Sequence, residues 1–212
     1  MSDYMNLVTP STEYNGKQVI PFFGRTHPFS NFFPATFDLW GLRFSCSEQA
    51  YTYIKAWYFK DEYSITQIME ETYPHMIKRL GRTIKNFNRR EWNSVSKEYM
   101  FQILTAKFTQ NRILAQDLIN TKRLQIIEVN PYDSRWGCAL SIDQLKAGKP
   151  FRGENLMGKL LEEVRKNLKI PTQYKPNTYT HTYGKFKPKI PSLNEVPCKE
   201  PPNFFRNCYW QI

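Results

Sequence analysis

A chain of 212 residues, 41% of them hydrophobic, is enough for one domain with a single core, because a chain near this size buries about 70% of its unfolded surface without a metal or disulfide staple. No stretch approaches the roughly 18–20 consecutive apolar residues of a membrane-spanning helix, which excludes an integral membrane protein of that kind. The 30 Lys and Arg against 19 Asp and Glu give a net charge of +11, a balance suited to phosphate-bearing partners: nucleotides, nucleic acid or phosphosugars.

Met1 to Ser11 carries Asp3 and no basic cluster before an apolar stretch, so it does not read as a signal peptide. Residues 1–19 are assigned to an N-terminal extension and residues 20–170 to the domain itself. Residues 18–23, Gln-Val-Ile-Pro-Phe-Phe, predict a strand. Residues 36–44 alternate around Trp40-Gly41 and predict a hairpin. Ser45-x-x-Glu48 has the form of a capping box that opens a helix, carried on by Ala50, Ile54, Trp57 and Tyr58 at helical spacing. A short helix over 74–80 closes at Gly81. Trp92, Val95, Tyr99, Ile103 and Ala106 recur at three and four, predicting a long helix from about Arg89, with another over 111–119. Residues 124–129 read as a strand running into a turn at Asn130-Pro131-Tyr132-Asp133. The last helix, about 155–168, directs Leu156, Leu160, Leu161 and Val164 inward from an N-cap at Asn155. The class is α+β: a mainly helical single domain with a small β-sheet.

Seven of the 14 prolines fall in residues 171–212, with six basic residues against Glu195 and Glu200. Proline blocks helix interiors, so this tail should be irregular. Its Tyr, Phe and Trp content argues for a docked segment over a solvated linker. Cys46, Cys138, Cys198 and Cys208 form no CxxC pair, and with only His27, His75 and His181 no spacing fits a zinc site. Scattered thiols of this kind suit a reducing compartment, so an intracellular, cytoplasmic protein is expected.

Four stretches could carry chemistry. On the helix after the hairpin, Glu48, Thr52 and Lys55 share one face at i, i+4 and i+7. About 10 Å of rise separates Glu48 from Lys55, a span their long side chains can close around a ligand. The same residues can equally be a capping carboxylate and a solvated lysine. Phe29-Ser30-Asn31-Phe32-Phe33 offers polar groups among rings, either a sugar cradle or a turn with core-facing aromatics. In Asp133-Ser-Arg-Trp136-Gly137, an acid at a strand's end beside an indole suits a ribose hydroxyl and a stacked base, or simply a turn. The fourth is Arg152-Gly-Glu-Asn155.

These segments resemble, in order and spacing, the NADAR domain family. The likeness runs through the 27–33 segment, Ser47-Glu-Gln-Ala-Tyr51 with Lys55-Ala56, Leu80-Gly-Arg82, Trp92, Lys107-Phe108 with Gln110-Asn111, Asp133-x-x-Trp-Gly137 and Gly153-x-Asn-Leu-x-Gly158. It covers about residues 20–168 and does not reach the tail. The resemblance implies an N-glycosidase with no cofactor. One branch of the family cleaves riboflavin-pathway ribosylamino-pyrimidine phosphates; another removes ADP-ribose from the exocyclic amine of guanine in nucleic acid, in functional pairing with an ADP-ribosyltransferase. Both break a bond between ribose C1 and an exocyclic nitrogen. Glu48, Lys55 and Asp133 are then the expected catalytic groups. Glu48 shields the cation at C1 and activates water, or Lys55 captures the ring-opened carbon as a Schiff base. Arg25, Phe29, Ser30, Asn31, Phe32, Tyr51, Arg82, Trp92, Trp136, Gly137 and Asn155 are expected to bind substrate, an ADP-ribose-type nucleotide or ADP-ribosylated nucleic acid. A non-catalytic binder of NAD-like nucleotides is the contrasting possibility. Two departures from the family pattern stand out: Ala139 in place of a second glycine after Trp136-Gly137, and Phe151 in place of a Trp. Ala139 is expected to narrow the pocket or shift substrate choice.

Overall fold

The computed structural model of the chain describes residues 11–168; the proline-rich tail, with Cys198, Cys208 and His181, lies outside them. Strand β2 (Lys17–Phe22) is the middle of a three-stranded sheet, antiparallel to β1 (Thr12–Tyr14) and parallel to β5 (Gln125–Glu128). The sheet therefore begins at Thr12, within the segment read from the sequence as an extension. Between β2 and β5 come five helices and the hairpin β3 (Phe37–Leu39) and β4 (Leu42–Phe44). That hairpin turns at Trp40 and Gly41, both with positive φ (53° and 75°), as a two-residue turn of this hand requires.

The helices are α1 (Ser47–Tyr58), α2 (Glu62–Glu70), α3 (Pro74–Leu80), α4 (Arg89–Gln110) and α5 (Arg112–Asn120), followed beyond β5 by α6 (Ile142–Lys146) and α7 (Leu156–Asn167). With these seven helices and two small sheets, the described residues form a single mainly helical α+β domain. The long α4 divides its interior. Its Trp92, Tyr99, Ile103 and Ala106 face a core built with α1, α2, α3 and the hairpin. Its Met100, Leu104 and Phe108 face a second core against β2, β5, α5 and α7. Sequence periodicity found the first stripe; the second lies one residue out of phase with it, so α4 is apolar on two sides. A third cluster, Val19, Ile127, Val129, Cys138, Leu140 and Leu145, covers the opposite face of the sheet.

Several local expectations are corrected. No capping box opens α1: its N-cap is Cys46, without a side-chain cap. Gln49 instead turns back, its Oε1 accepting from the Ser45 N–H (2.8 Å) and Oγ–H (3.0 Å). The reciprocal box occurs at α6, between Ser141 and Gln144. Helix α2 lacked a prediction although Asp61 caps it, accepting from the Ser64 amide and hydroxyl. Gly81 has an ordinary right-handed φ of −60°; its small size matters because a Cβ there would stand 2.9 Å from Thr52 Cγ2, where α1 crosses α3. In α7 it is Met157, not Leu156, that joins the core with Leu160, Leu161 and Val164.

Candidate active site

The site is assembled at the first turn of α1. The 27–33 segment folds into successive turns, with Ser30 N–H donating to His27 O and Phe33 N–H to Ser30 O. It is pinned from beneath by Lys107 of α4, fully buried, whose Nζ donates to Pro28 O (2.7 Å) and Ser30 O (2.9 Å). Burial lowers the Lys107 pKa to about 7. Burial, with Lys107 nearby, holds His27 down to about 4, so its Nδ1 can accept from the Phe29 N–H. This loop places the Asn31 carbonyl on the Glu48 N–H (2.9 Å). The Asn31 side-chain Oδ1 is shielded from solvent and without a partner.

Glu48 is 8% exposed, and no group of the described residues donates to its carboxylate. Burial pushes its pKa up to about 7; the ammonium groups of Lys78 and Lys55 act against the shift, and the Asp133 carboxylate adds to it. Lys55, two turns along the same face, donates from Nζ to Gly81 O (2.6 Å) and lies 3.9 Å from the Phe87 ring centroid. Its pKa is lowered by burial and partly restored by Glu48. Glu48 and Lys55 thus feel each other's charge without forming an ion pair among the described residues. Tyr51, one turn beyond Glu48, accepts from Trp92 Nε1 (2.8 Å) and meets the Trp136 ring edge-on at 5.6 Å. Asp133 caps its own turn, Oδ1 accepting from the Arg135 (3.0 Å) and Trp136 (2.8 Å) amides. Its charge acts on Glu48.

Other expected binding residues have structural work. Phe29 is fully buried, in edge-on contact with Phe22, His27 and Phe108, and belongs to the second core. Trp92 is 4% exposed and stacks on Tyr99, so it supports Tyr51 from behind. Gly137 is a spacing residue, since a Cβ would lie 3.0 Å from both the Glu128 and Asp133 carbonyls. Asn155 stands at the N-cap of α7 with a left-handed φ of 50°, but its side chain makes no capping bond. Its Oδ1 accepts from Glu128 N–H (3.0 Å) and its Nδ2 donates to Ile126 O (2.9 Å), replacing a strand neighbour for β5. Arg25 and Arg82 are exposed, and their side chains make no hydrogen bond or ion pair among the described residues. Ser30 and Phe32 are half-buried: Ser30 Oγ accepts from Phe32 N–H, and Lys78 Nζ lies 5.3 Å from the Phe32 ring. Ala139 has φ 55°, and its carbonyl accepts from Arg152. The glycine expected there is a matter of backbone conformation.

Sequence reasoning missed Lys78 and Glu128. Lys78 is an exposed residue of the short helix α3 with nothing local to mark it. Glu128 carried a faint signal, an acid within the apolar strand 124–129. Among the described residues, no group of three or more His, Cys, Asp or Glu is arranged to hold a metal ion, and no helix is long and apolar enough to cross a membrane.

The chain belongs to the NADAR domain family, which matches residues 21–169. Among its relatives, the protein irg-1 of Caenorhabditis elegans is 30% identical over 78% of this chain and 87% of its own length. An N-glycosidase of Acanthamoeba polyphaga mimivirus is 35% identical over 66% of this chain and 86% of its own length. N-glycosidase YbiA of Escherichia coli is 31% identical over 67% of this chain and 81% of its own length. The NMR structure of the Escherichia coli protein YbiA superposes with a TM-score of 0.58 at 28% identity, covering 70% of this chain and 83% of that one.

Proposed function

We propose that the chain is an N-glycosidase that hydrolyses the bond between ribose C1 and an exocyclic amine, with ADP-ribosyl-guanine in nucleic acid as its substrate. The observation that carries the reading is the buried Glu48 carboxyl, free of hydrogen bonds and flanked by the desolvated Lys55 amine. A structural carboxylate in such a place would be tied to donors. The names of the mimiviral and bacterial relatives point to the same bond class.

Cleavage moves the C1–N bonding pair to nitrogen and leaves positive charge at C1. Glu48, ionised, stabilises that charge and takes a proton from the water that adds to C1. In the covalent route the ribose ring opens to an imine, the neutral Lys55 amine adds to the same carbon and expels the base, and water hydrolyses the resulting Schiff base. Burial of Lys55 favours the neutral amine that this route needs. Trp136 and Phe32, both half-buried, offer faces for the base, and the Asn31 amide offers an acceptor to a sugar hydroxyl. The net charge of +11 favours a polyanionic substrate over a small metabolite.

A panel of an ADP-ribosylated guanine oligonucleotide and ribosylamino-pyrimidine phosphates tests the assignment. Release of ADP-ribose from the first is expected, with Glu48→Gln slower by about 10²–10⁴-fold. Hydrolysis of the pyrimidine compounds alone would move the chain to riboflavin intermediates, and intact recovery of every bound ligand would make it a binder. Borohydride trapping of sugar on the wild type, together with an inactive Lys55→Arg, selects the covalent route.

A further inference from the structure

Glu128 ends β5 and is held more firmly than a strand's last residue usually is. Its N–H donates to Asn155 Oδ1 (3.0 Å), and its carbonyl accepts from the Cys138 (2.9 Å) and Asn130 (3.1 Å) amides. The side chain is half-buried, and Oε2 is shielded from solvent with no hydrogen-bond partner. A buried carboxyl oxygen with no donor is costly when charged, so a structural role does not account for it. The groups that act on its charge come from three elements: Asp133 from the following turn, Lys78 from α3 and Glu48 from α1, with the Cys138 thiol close by. Helix α7 turns Glu162 to the Ile126 amide, away from Glu128, and no charged group of β2 acts on it.

The three carboxyls are not equivalent. Asp133 accepts two amide hydrogens at Oδ1. Glu48 faces two ammonium groups and one carboxylate. Glu128 faces one ammonium group and two carboxylates, and burial, the largest influence, brings its pKa to about 7. Glu128 therefore meets more negative charge than Glu48 does, the asymmetry that suits an acid beside a base when the leaving group is a poor amine.

We propose that Glu128 is the general acid of the site, donating its carboxyl proton to the exocyclic nitrogen as the C1–N bond breaks. The inference rests on the N-glycosidase reading above. The bonding pair goes to nitrogen, which takes the Glu128 proton and departs as the neutral amine. Water adds to C1 and gives a proton to Glu48, and exchange with solvent returns Glu128 to its acid form.

The test compares wild type with Glu128→Gln and Glu128→Asp in single turnover across pH, on an ADP-ribosylated guanine oligonucleotide and on ADP-ribosyl 4-nitroaniline, whose leaving group has less need of a proton. The wild-type rate should fall about tenfold per pH unit above the Glu128 pKa. Glu128→Gln should lose about 10²–10⁴-fold on guanine, lack that alkaline limb, and lose at least about tenfold less on the nitroaniline. Glu128→Asp should keep the limb at a reduced rate, which separates chemistry from folding. Equal losses on both substrates, or an alkaline limb retained in Glu128→Gln, would overturn the assignment. A wild type inert on both substrates would instead fell the N-glycosidase reading itself.

Discussion

At the scale of single residues, the chain holds a largely buried carboxylic acid and supplies no group to bond it. Glu48 is buried behind Asn31 with two lysines near enough to feel and none close enough to pair. The stability consequence has a definite sign. A pKa raised from about 4.5 to about 7 means that the folded chain binds more protons than the unfolded chain between those values. Stability therefore falls as pH rises through that window, and by pH 8 the carboxylate opposes folding. Glu48→Gln removes the titration. Urea unfolding should find the variant more stable than wild type by about 1–3 kcal/mol at about pH 8, and nearly equal to it at about pH 5. A variant less stable at both values would show that Glu48 is a structural residue.

At the scale of elements, the site depends on how closely backbones approach. Helix α7 lies on β5 because Gly158 has no side chain: a Cβ there would fall 2.0 Å from Ile126 O and 2.5 Å from Asn155 Nδ2. Neither neighbour is the free end of a flexible chain. Gly158→Ala should destabilise by about 3 kcal/mol or more and disturb Glu128 through Asn155, which circular dichroism melts and activity together would reveal. Ala139 is the opposite case. An L-residue at φ 55° carries about 1–2 kcal/mol of steric cost. Ala139→Gly should raise the melting temperature by about 2–4 °C, with substrate preference unchanged. A shift in preference would restore the pocket-narrowing expectation.

At the scale of the whole molecule, α4 separates two cores, and Tyr51 packs against both. Tyr51, one turn from Glu48, thus places the candidate site beside that seam. A net charge of +11 adds long-range attraction for a nucleic-acid substrate. Hydrolysis of an ADP-ribosylated oligonucleotide should weaken steeply as salt rises, with a log–log slope of about −2 or steeper in kcat/KM, equivalent to about three phosphate contacts on a single strand. The corresponding nucleoside should show little dependence. Equal slopes for the two would place the charge outside substrate recognition.

What could be read in advance follows from the range of the forces. Helical spacing in α1, the hairpin turn at Trp40-Gly41 and the first stripe of α4 are local patterns, and the i, i+7 relation of Glu48 and Lys55 is a property of one helix, so the sequence alone determined them, along with the α+β class. The capping-box reading of Glu48 failed because Gln49, not Glu48, turns back to Ser45. The Asn155 side chain is spent on β5, 27 residues earlier at Glu128, where it serves as a hydrogen-bonding edge. Lys107, Lys78 and Glu128 gain their significance only from residues far away along the chain: the carbonyls of Pro28 and Ser30 in one case, each other's charges and that of Glu48 in the rest. Tertiary structure alone decided which carboxyls are dry and which are bonded, because desolvation and charge act through space and are set by whatever the folded chain brings within a few ångströms.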